Sequence, residues 1–177
     1  MTNTHSLRGS NQEPESKQFE ELTLDIDRVA RVVKGGRRFR FRALVVIGDR
    51  KGMVGIGMAK GADVTAAVTK ANEVARKNVI KVPLHKGTLP HEVEAKVSGA
   101  KIMLKPASAG TGLIAGGVIR SILDVAGVAN VLSKSFGSSN KANTAYATID
   151  ALKQLKAQKD WLNYHSQKKP EILEKVK

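Results

Sequence analysis

The stretch RVARVVKGGRRFRFRALVVIG, residues 28–48, contains two strand-like segments joined at a pair of glycines. Seven of its residues are basic and none is acidic. Because successive side chains of a strand point to opposite faces, the second segment predicts one apolar face and one basic face. The apolar face holds Phe39, Phe41, Ala43, Val45 and Ile47, and the basic face holds Arg38, Arg40 and Arg42. We expect the apolar face to pack inside the protein and the basic face to meet an anion.

The planar guanidinium group suits phosphate oxygens, because it can donate two parallel hydrogen bonds to them. A solvated strand that only keeps the protein soluble is the alternative interpretation. Composition favours the phosphate interpretation, since 30 Lys and Arg stand against 16 Asp and Glu, for a net charge of +14 and a pI near 10.1. Such an excess is typical of proteins that bind nucleic acid or an anionic membrane.

A membrane is the poorer candidate for the anionic partner. No apolar run approaches the roughly 20 residues of a spanning helix. No helix-length segment opposes a basic face to bulky apolar side chains, as an interfacial helix would. The first residues also lack the basic and apolar blocks of a signal peptide, so we predict a cytoplasmic protein without membrane contact.

Residue types also limit the possible chemistry. The absence of cysteine excludes disulfides, thiolate metal sites and cysteine nucleophiles. The four histidines lack the spacing of a zinc site, and we find no catalytic constellation, so no cofactor and no enzyme activity are predicted. Aromatic residues make up only 4% of the chain, which favours recognition of nucleic-acid backbone and shape over stacking on bases.

The first half of the chain predicts a small domain over residues 21–85, preceded by a disordered tail over residues 1–20. The alternation of apolar residues shifts phase after Ile26, which predicts a bulge near Arg28. A third strand follows a tight turn, and its glycines on one face would let another backbone approach closely. Asp63 is predicted to cap a following amphipathic helix. Three antiparallel strands and one helix complete this domain.

The second half predicts another domain over residues 86–157, with a C-terminal extension over residues 158–177. It reads as two strands, a glycine-rich loop, a helix, a short strand over residues 130–136 and a last helix that starts after Asn140. Arg120 and Asp124 are spaced to form an ion pair on the first of these helices. The predicted fold class is therefore α+β with two small domains.

The glycine-rich loop includes the sequence GTGLIA, residues 110–115, which follows the order of a dinucleotide-binding fingerprint. Four residues separate the preceding strand from Gly110, however, where the fingerprint needs a tight turn. That strand also alternates lysine with apolar residues, whereas strands of a doubly wound parallel sheet are apolar on both faces. We therefore favour a structural loop over residues 110–117. A nucleotide-binding enzyme using this loop and a free-standing double-stranded RNA binder are the alternatives.

Five ordered segments of the chain resemble the bacterial small-subunit ribosomal protein S5 family. They are VKGGRRFRFRALVVIGD (33–49), VGIGMAKG (54–61), ARKN (75–78), KPASAGTGLIAGGVIRSILDVAGV (105–128) and AYATIDALK (145–153). The resemblance implies a first domain like a double-stranded RNA-binding module and a second domain with a β/α sandwich fold. The second fold also occurs in some ATP-binding enzymes, whose catalytic residues are not matched in this chain.

The resemblance further implies a structural role in translation, with contacts to small-subunit ribosomal RNA where the head joins the body, close to the spectinomycin site. In the family the KGGR hairpin makes these contacts. The region matching Gly112 and Arg120 abuts ribosomal protein S4 at an interface tied to decoding accuracy, and ribosomal protein S8 contacts the second domain. The family also helps line the messenger RNA entry channel. Lys141 occupies a position that the family commonly fills with proline.

Together these arguments predict two sets of site residues and no homo-oligomer. The predicted protein-contact residues are Gly110, Gly112 and Arg120. The predicted RNA-binding residues are Arg28, Arg31, Lys34, Gly35, Gly36, Arg37, Arg38, Arg40, Arg42, Arg50, Lys51, Lys60, Arg76 and Lys77.

Overall fold

A computed structural model describes residues 19–157 of the chain. The predicted C-terminal extension and nearly all of the predicted N-terminal tail lie outside these residues. Of that tail, Phe19 packs against the core and Glu20 belongs to the first strand, so the tail was predicted two residues too long. The α+β fold class is confirmed, with two four-stranded sheets.

The first unit is an antiparallel sheet with strand order β1-β2-β3-β4 and one helix. Its elements are β1 (Glu20–Val33), β2 (Gly36–Gly48), β3 (Met53–Gly61), α1 (Val64–Lys77) and β4 (Ile80–Lys81). The prediction of three strands missed β4, because two residues are too short to show an alternating pattern. β4 pairs with the start of β3 and extends the sheet at that edge.

The predicted bulge exists, but it lies at Leu24 and not near Arg28. Thr23 pairs with Val45 and Asp25 pairs with Leu44, so Leu24 is the extra residue of β1. Leu24 packs against the core, whereas Ile26 stays 44% exposed. The prediction was wrong because the alternation of these two residues does not reflect one shared buried face.

Helix α1 lies directly on the glycine face of β3. A Cβ atom added to Gly57 would stand 2.0 Å from the carbonyl oxygen of Ala71, and one added to Gly55 would stand 2.5 Å from that of Ala75. The predicted close backbone approach is therefore confirmed. Asp63 occupies the N-cap position of α1, but its side chain accepts no capping hydrogen bond, so its predicted capping role was wrong. Its backbone oxygen accepts the Ala67 N–H.

The second unit has strand order β5-β6-β8-β7, antiparallel except for the parallel pair of β7 and β8. Its elements are β5 (Val93–Val97), β6 (Ala100–Pro106), β7 (Leu113–Ile114), α2 (Gly117–Ala126), β8 (Val131–Gly137) and α3 (Lys141–Gln154). Strand β7 was not predicted, since it consists of two residues within the glycine-rich loop. Helix α3 packs on β5 and β6, and α2 lies beside α3 and against the first sheet.

The two units share one apolar core. Leu44 and Val46 of β2 belong to the same buried cluster as Ile119 and Ile122 of α2. The face of β2 that carries arginines at its start is thus covered by the second unit toward its end. This packing fixes the first sheet against α2 and leaves only the start of β2 free on that face.

The turn between β2 and β3 closes the C-terminal end of α2. The Arg50 N–H donates to the Val125 oxygen at 3.0 Å, and the Gly52 N–H donates to the Ala126 oxygen at 2.9 Å. These bonds satisfy carbonyls that a helix leaves unpaired at its end. The Arg50 guanidinium also lies 3.7 Å from the Asp124 carboxylate. Asp124 is therefore paired across the two units, and the predicted pairing with Arg120 was wrong.

Helix α3 begins at Lys141, as its sequence predicted. The side-chain oxygen of Asn140 accepts hydrogen bonds from the Ala142 and Asn143 amides, which is the usual N-cap arrangement. The Lys141 ammonium donates to Asp25 of β1 at 2.8 Å, and this hydrogen bond raises the pKa of Lys141. A lysine at this position thus adds a polar link between the two units that a proline could not make.

Candidate nucleic-acid interface

The start of β2 and the end of β1 extend beyond the rest of the first sheet as a two-stranded ribbon. The ribbon runs from the pair Arg28 and Phe41 to the pair Val33 and Gly36, whereas β3 pairs with β2 only from Phe41 onward. Gly35 turns the chain at the tip with a φ of 90°, a conformation that favours glycine. All side chains between residues 30 and 40 are exposed. Neither α1 nor β3 covers the ribbon.

One side of the ribbon, which we call the basic side, carries aligned cations. Directly paired residues of antiparallel strands share a face, and Arg31 pairs with Arg38 while Val29 pairs with Arg40. Lys60 of β3 joins this side because it pairs with Arg42. The structure brings these cations together around a shallow depression, and within residues 19–157 no carboxylate pairs with any of them. The depression is lined by Val29, Ala30, Arg31, Val33, Arg38, Arg40 and Lys60.

Arg42 differs from the other arginines of β2 because it is neutralised inside the protein. Its Nη2 and Nε atoms donate to the Asp27 carboxylate at 2.6 and 3.1 Å, and its side chain is only 32% exposed. Sequence reasoning missed Asp27 as a partner, although the two residues pair directly across β1 and β2. The RNA-binding role of Arg42 stays a prediction, but its position makes it a support at the base of the ribbon.

Four of the predicted RNA-binding residues lie at the opposite end of the first unit from the ribbon tip. Arg50 and Lys51 belong to the turn after β2, and Arg76 and Lys77 end α1. Two of them have carboxylate partners within the chain. Arg50 donates to Glu20 at 2.5 and 2.9 Å, which lowers the pKa of Glu20, and Arg76 lies 2.9 Å from a Glu21 oxygen. The predicted set is thus two separate groups and not one surface.

The side of the ribbon opposite the basic side does not pack as a whole. Ala43, Val45 and Ile47 are buried against α1, as the alternating pattern predicted. Phe39 is 47% exposed, because β3 ends at Gly61, opposite Phe41. The prediction that Phe39 is part of the packed face was wrong for this reason. Sequence reasoning also missed the Arg28 guanidinium, whose Cζ lies 3.8 Å from the centroid of the Phe39 ring.

The glycine-rich loop of the second unit is tied to Asn130. The amides of Gly110 and Gly112 donate to the Asn130 side-chain oxygen at 3.1 and 3.0 Å. A nucleotide phosphate would have to take these amides away from Asn130. Arg120 lies exposed on α2, which begins just after the loop, so the three predicted protein-contact residues belong to one region of the second unit. Asn130 was not predicted, since only the folded loop brings it close to the glycines.

Two other kinds of site are absent from the described part of the chain. No helix among residues 19–157 is long and apolar enough to cross a membrane. Over the same residues, no three or more histidine, cysteine or carboxylate side chains come together in a way that would hold a metal ion.

Comparison with known proteins agrees with the two-unit structure. The family model described as ribosomal protein S5, N-terminal domain, matches residues 19–83, and that described as ribosomal protein S5, C-terminal domain, matches residues 95–163. Curated relatives include the small ribosomal subunit protein uS5 of Thermus thermophilus, which is also found in two individual strains of that species. Each is 54% identical over 142 residues, which are 80% of this chain and 88% of the relative. The chain therefore belongs to the ribosomal protein S5 (uS5) family.

Proposed function

We propose that the chain binds small-subunit ribosomal RNA through the basic side of its ribbon and neighbouring ribosomal proteins through its second unit. As a member of the S5 family it is a structural component of the small ribosomal subunit. One observation carries the RNA proposal: Arg31, Arg38 and Arg40 share one exposed side of a protruding ribbon, without carboxylate partners in the described part of the chain. The proposed role in the cytoplasmic ribosome is architectural and not catalytic.

The chemistry of this interface is charge neutralisation at phosphates. Each arginine that contacts a phosphate releases counterions from the RNA, so affinity falls as salt rises. These contacts position the protein on the RNA and do not read its sequence. The ribbon is held at its base by the pair of Asp27 and Arg42, and it continues directly into the buried part of β2. A cationic ribbon on a rigid base can keep two ribosomal elements in a fixed relation.

The second unit offers a surface of different chemistry for protein contacts. Its sheet is covered by helices on one face, and the opposite face exposes Ile114, Leu132 and Phe136 at 53%, 40% and 41%. Exposed apolar groups on a sheet are typical of protein interfaces. We propose that this unit contacts ribosomal protein S8, and that Gly110, Gly112 and Arg120 contact S4. A position near the messenger RNA entry channel belongs to the same proposal.

The alternative of a nucleotide-binding enzyme receives no support from the loop geometry. The glycine amides that would meet a phosphate already donate to Asn130. A second alternative, an RNA binder that acts away from ribosomes, would use the same ribbon and needs an experiment to separate it.

Sedimentation of a cell lysate through a sucrose gradient tests the proposed function. The chain should travel with small subunits in a one-to-one ratio, because a structural component is bound in every particle. Recovery in the slowly sedimenting fractions, or on RNA lacking the other ribosomal proteins, would instead favour a free-standing RNA binder.

Replacing Arg120 by leucine should change the rate of translational misreading while leaving RNA affinity unaltered. An interfacial arginine commonly contributes about 1 kcal/mol or more, so its loss should weaken the proposed S4 contact by about fivefold or more. A stop-codon readthrough reporter measures the effect, with Lys153→Leu on α3 as the matched loss of an exposed cation. If Arg120→Leu and Lys153→Leu give wild-type misreading alike, Arg120 has no role in decoding accuracy.

A further inference from the structure

The ribbon has an exposed apolar side as well as its basic side, and we call it the stacking side. Ile26 pairs with Ala43, Ala30 pairs with Phe39, and Val32 pairs with Arg37, so all of these residues share the face opposite to Arg38 and Arg40. Val32 is 77% exposed and Phe39 is 47% exposed. Side chains of this kind are normally buried. Nothing in the described chain covers them, which indicates an external partner.

The centre of the stacking side is a prearranged pair of planar groups. The Cζ atom of Arg28 lies 3.8 Å from the centroid of the Phe39 ring, within the range of a cation–π contact. This contact restrains a long side chain that would otherwise sample many rotamers. Both groups stay at the surface, since Arg28 is exposed and almost half of Phe39 is accessible. The ribbon therefore presents a flat and partly cationic platform.

Charge narrows the choice of partner for this platform. Arg28 and Arg37 border the apolar residues, Lys34 lies at the tip, and residues 28–48 include no carboxylate. A nucleotide complements such a surface with both of its parts, because the base offers a π face and the phosphate offers negative charge. A paired base inside a helix has no free face, so the complementary ligand is an unpaired base.

We propose that the stacking side receives an unpaired base of small-subunit ribosomal RNA, which stacks on the Phe39 and Arg28 pair. This inference rests on the proposed function, because the same RNA would place its phosphates against the basic side. The ribbon then lies between a base and a phosphate backbone and contacts RNA with both faces. Low aromatic content predicted little base stacking, but one well-placed ring is sufficient for one base.

Binding of purified chain to full-length small-subunit ribosomal RNA, measured over a range of salt concentrations, tests the proposal. Phe39→Leu keeps an apolar side chain and removes the aromatic face. Stacking contributes about 1–3 kcal/mol per base, so affinity should fall by about 5- to 150-fold with an unchanged salt dependence. Phe39→Trp should bind at least as well as the original chain. Thermal unfolding should be nearly the same for all three proteins, because the ring is half exposed.

Chemical probing of RNA bases locates the ligand of Phe39. At least one base should be protected in the complex with the original chain and become reactive in the complex with Phe39→Leu. Equal affinity and equal protection for the two proteins would overturn the inference. So would loss of a neighbouring protein from assembled subunits carrying Phe39→Leu with no change at any base, since the surface would then be a protein site.

Variants of the basic side separate this inference from the proposed function. Arg38→Gln and Arg40→Gln should reduce the salt dependence of binding whether or not a base stacks on Phe39. A normal response of these variants together with a silent Phe39→Leu contradicts only the stacking proposal. Silence of both sets contradicts RNA binding by the ribbon.

Discussion

A chain carrying Arg38→Gln and Arg40→Gln should bind small-subunit ribosomal RNA about ten- to a hundredfold more weakly at moderate salt. Both guanidinium groups are exposed on the basic side and neither has a carboxylate partner within residues 19–157. Their full charge is therefore available to phosphates. The slope of log affinity against log salt should become shallower by roughly 1.4 to 1.8, which corresponds to two lost phosphate contacts. Filter binding or fluorescence anisotropy across a salt series measures both quantities.

The matched control removes the same charge from the second unit. Lys96 and Lys153 are exposed on β5 and α3, far in the chain from the ribbon. A chain with Lys96→Gln and Lys153→Gln should keep the slope of the original protein. If the two double variants lose affinity equally, net charge explains the binding and the ribbon has no special role.

The second large effect concerns the packing of α1 on β3. Gly57→Val should lower the free energy of unfolding by about 3 kcal/mol or more, because even a Cβ atom at this position would stand 2.0 Å from the Ala71 oxygen. Both atoms belong to the backbones of regular elements, so neither can move aside alone. For a chain of this length the melting temperature should fall by roughly 6 to 12 °C. Differential scanning calorimetry measures the change.

Gly117→Ala is the control for this variant. Gly117 opens α2, has no atom within 4 Å of an added Cβ, and does not adopt a positive φ. Alanine there should leave stability unchanged or raise it by up to about 1 kcal/mol, because it reduces the freedom of the unfolded chain. A Gly57→Val protein that melts together with Gly117→Ala would mean that α1 does not lie against β3 as described.

Local patterns in the sequence were sufficient for the main elements of the first unit. Alternation defined the two faces of β2, and the bare face of β3 indicated the close approach of α1. These features depend on neighbouring residues and on the intrinsic size of glycine, so they can be read without knowing the fold. The basic side of the ribbon was predictable for the same reason.

Contacts between distant residues were not predictable in the same way. Arg42 pairs with Asp27 only because the bulge at Leu24 sets the register of β1 and β2. Arg50 binds Glu20 and α2 because the two units pack together, which no local pattern indicates. The exposure of Phe39 depends on where β3 ends. The functional division of the cations into free and internally paired groups therefore came from the structure.

The most direct test of the central claim is an electron cryomicroscopy structure of the small ribosomal subunit containing this chain. Guanidinium nitrogens of Arg38 and Arg40 should lie within hydrogen-bonding distance, about 2.7–3.2 Å, of phosphate oxygens of the ribosomal RNA. A particle in which both side chains point into open solvent, with no nucleotide in reach, would contradict the account.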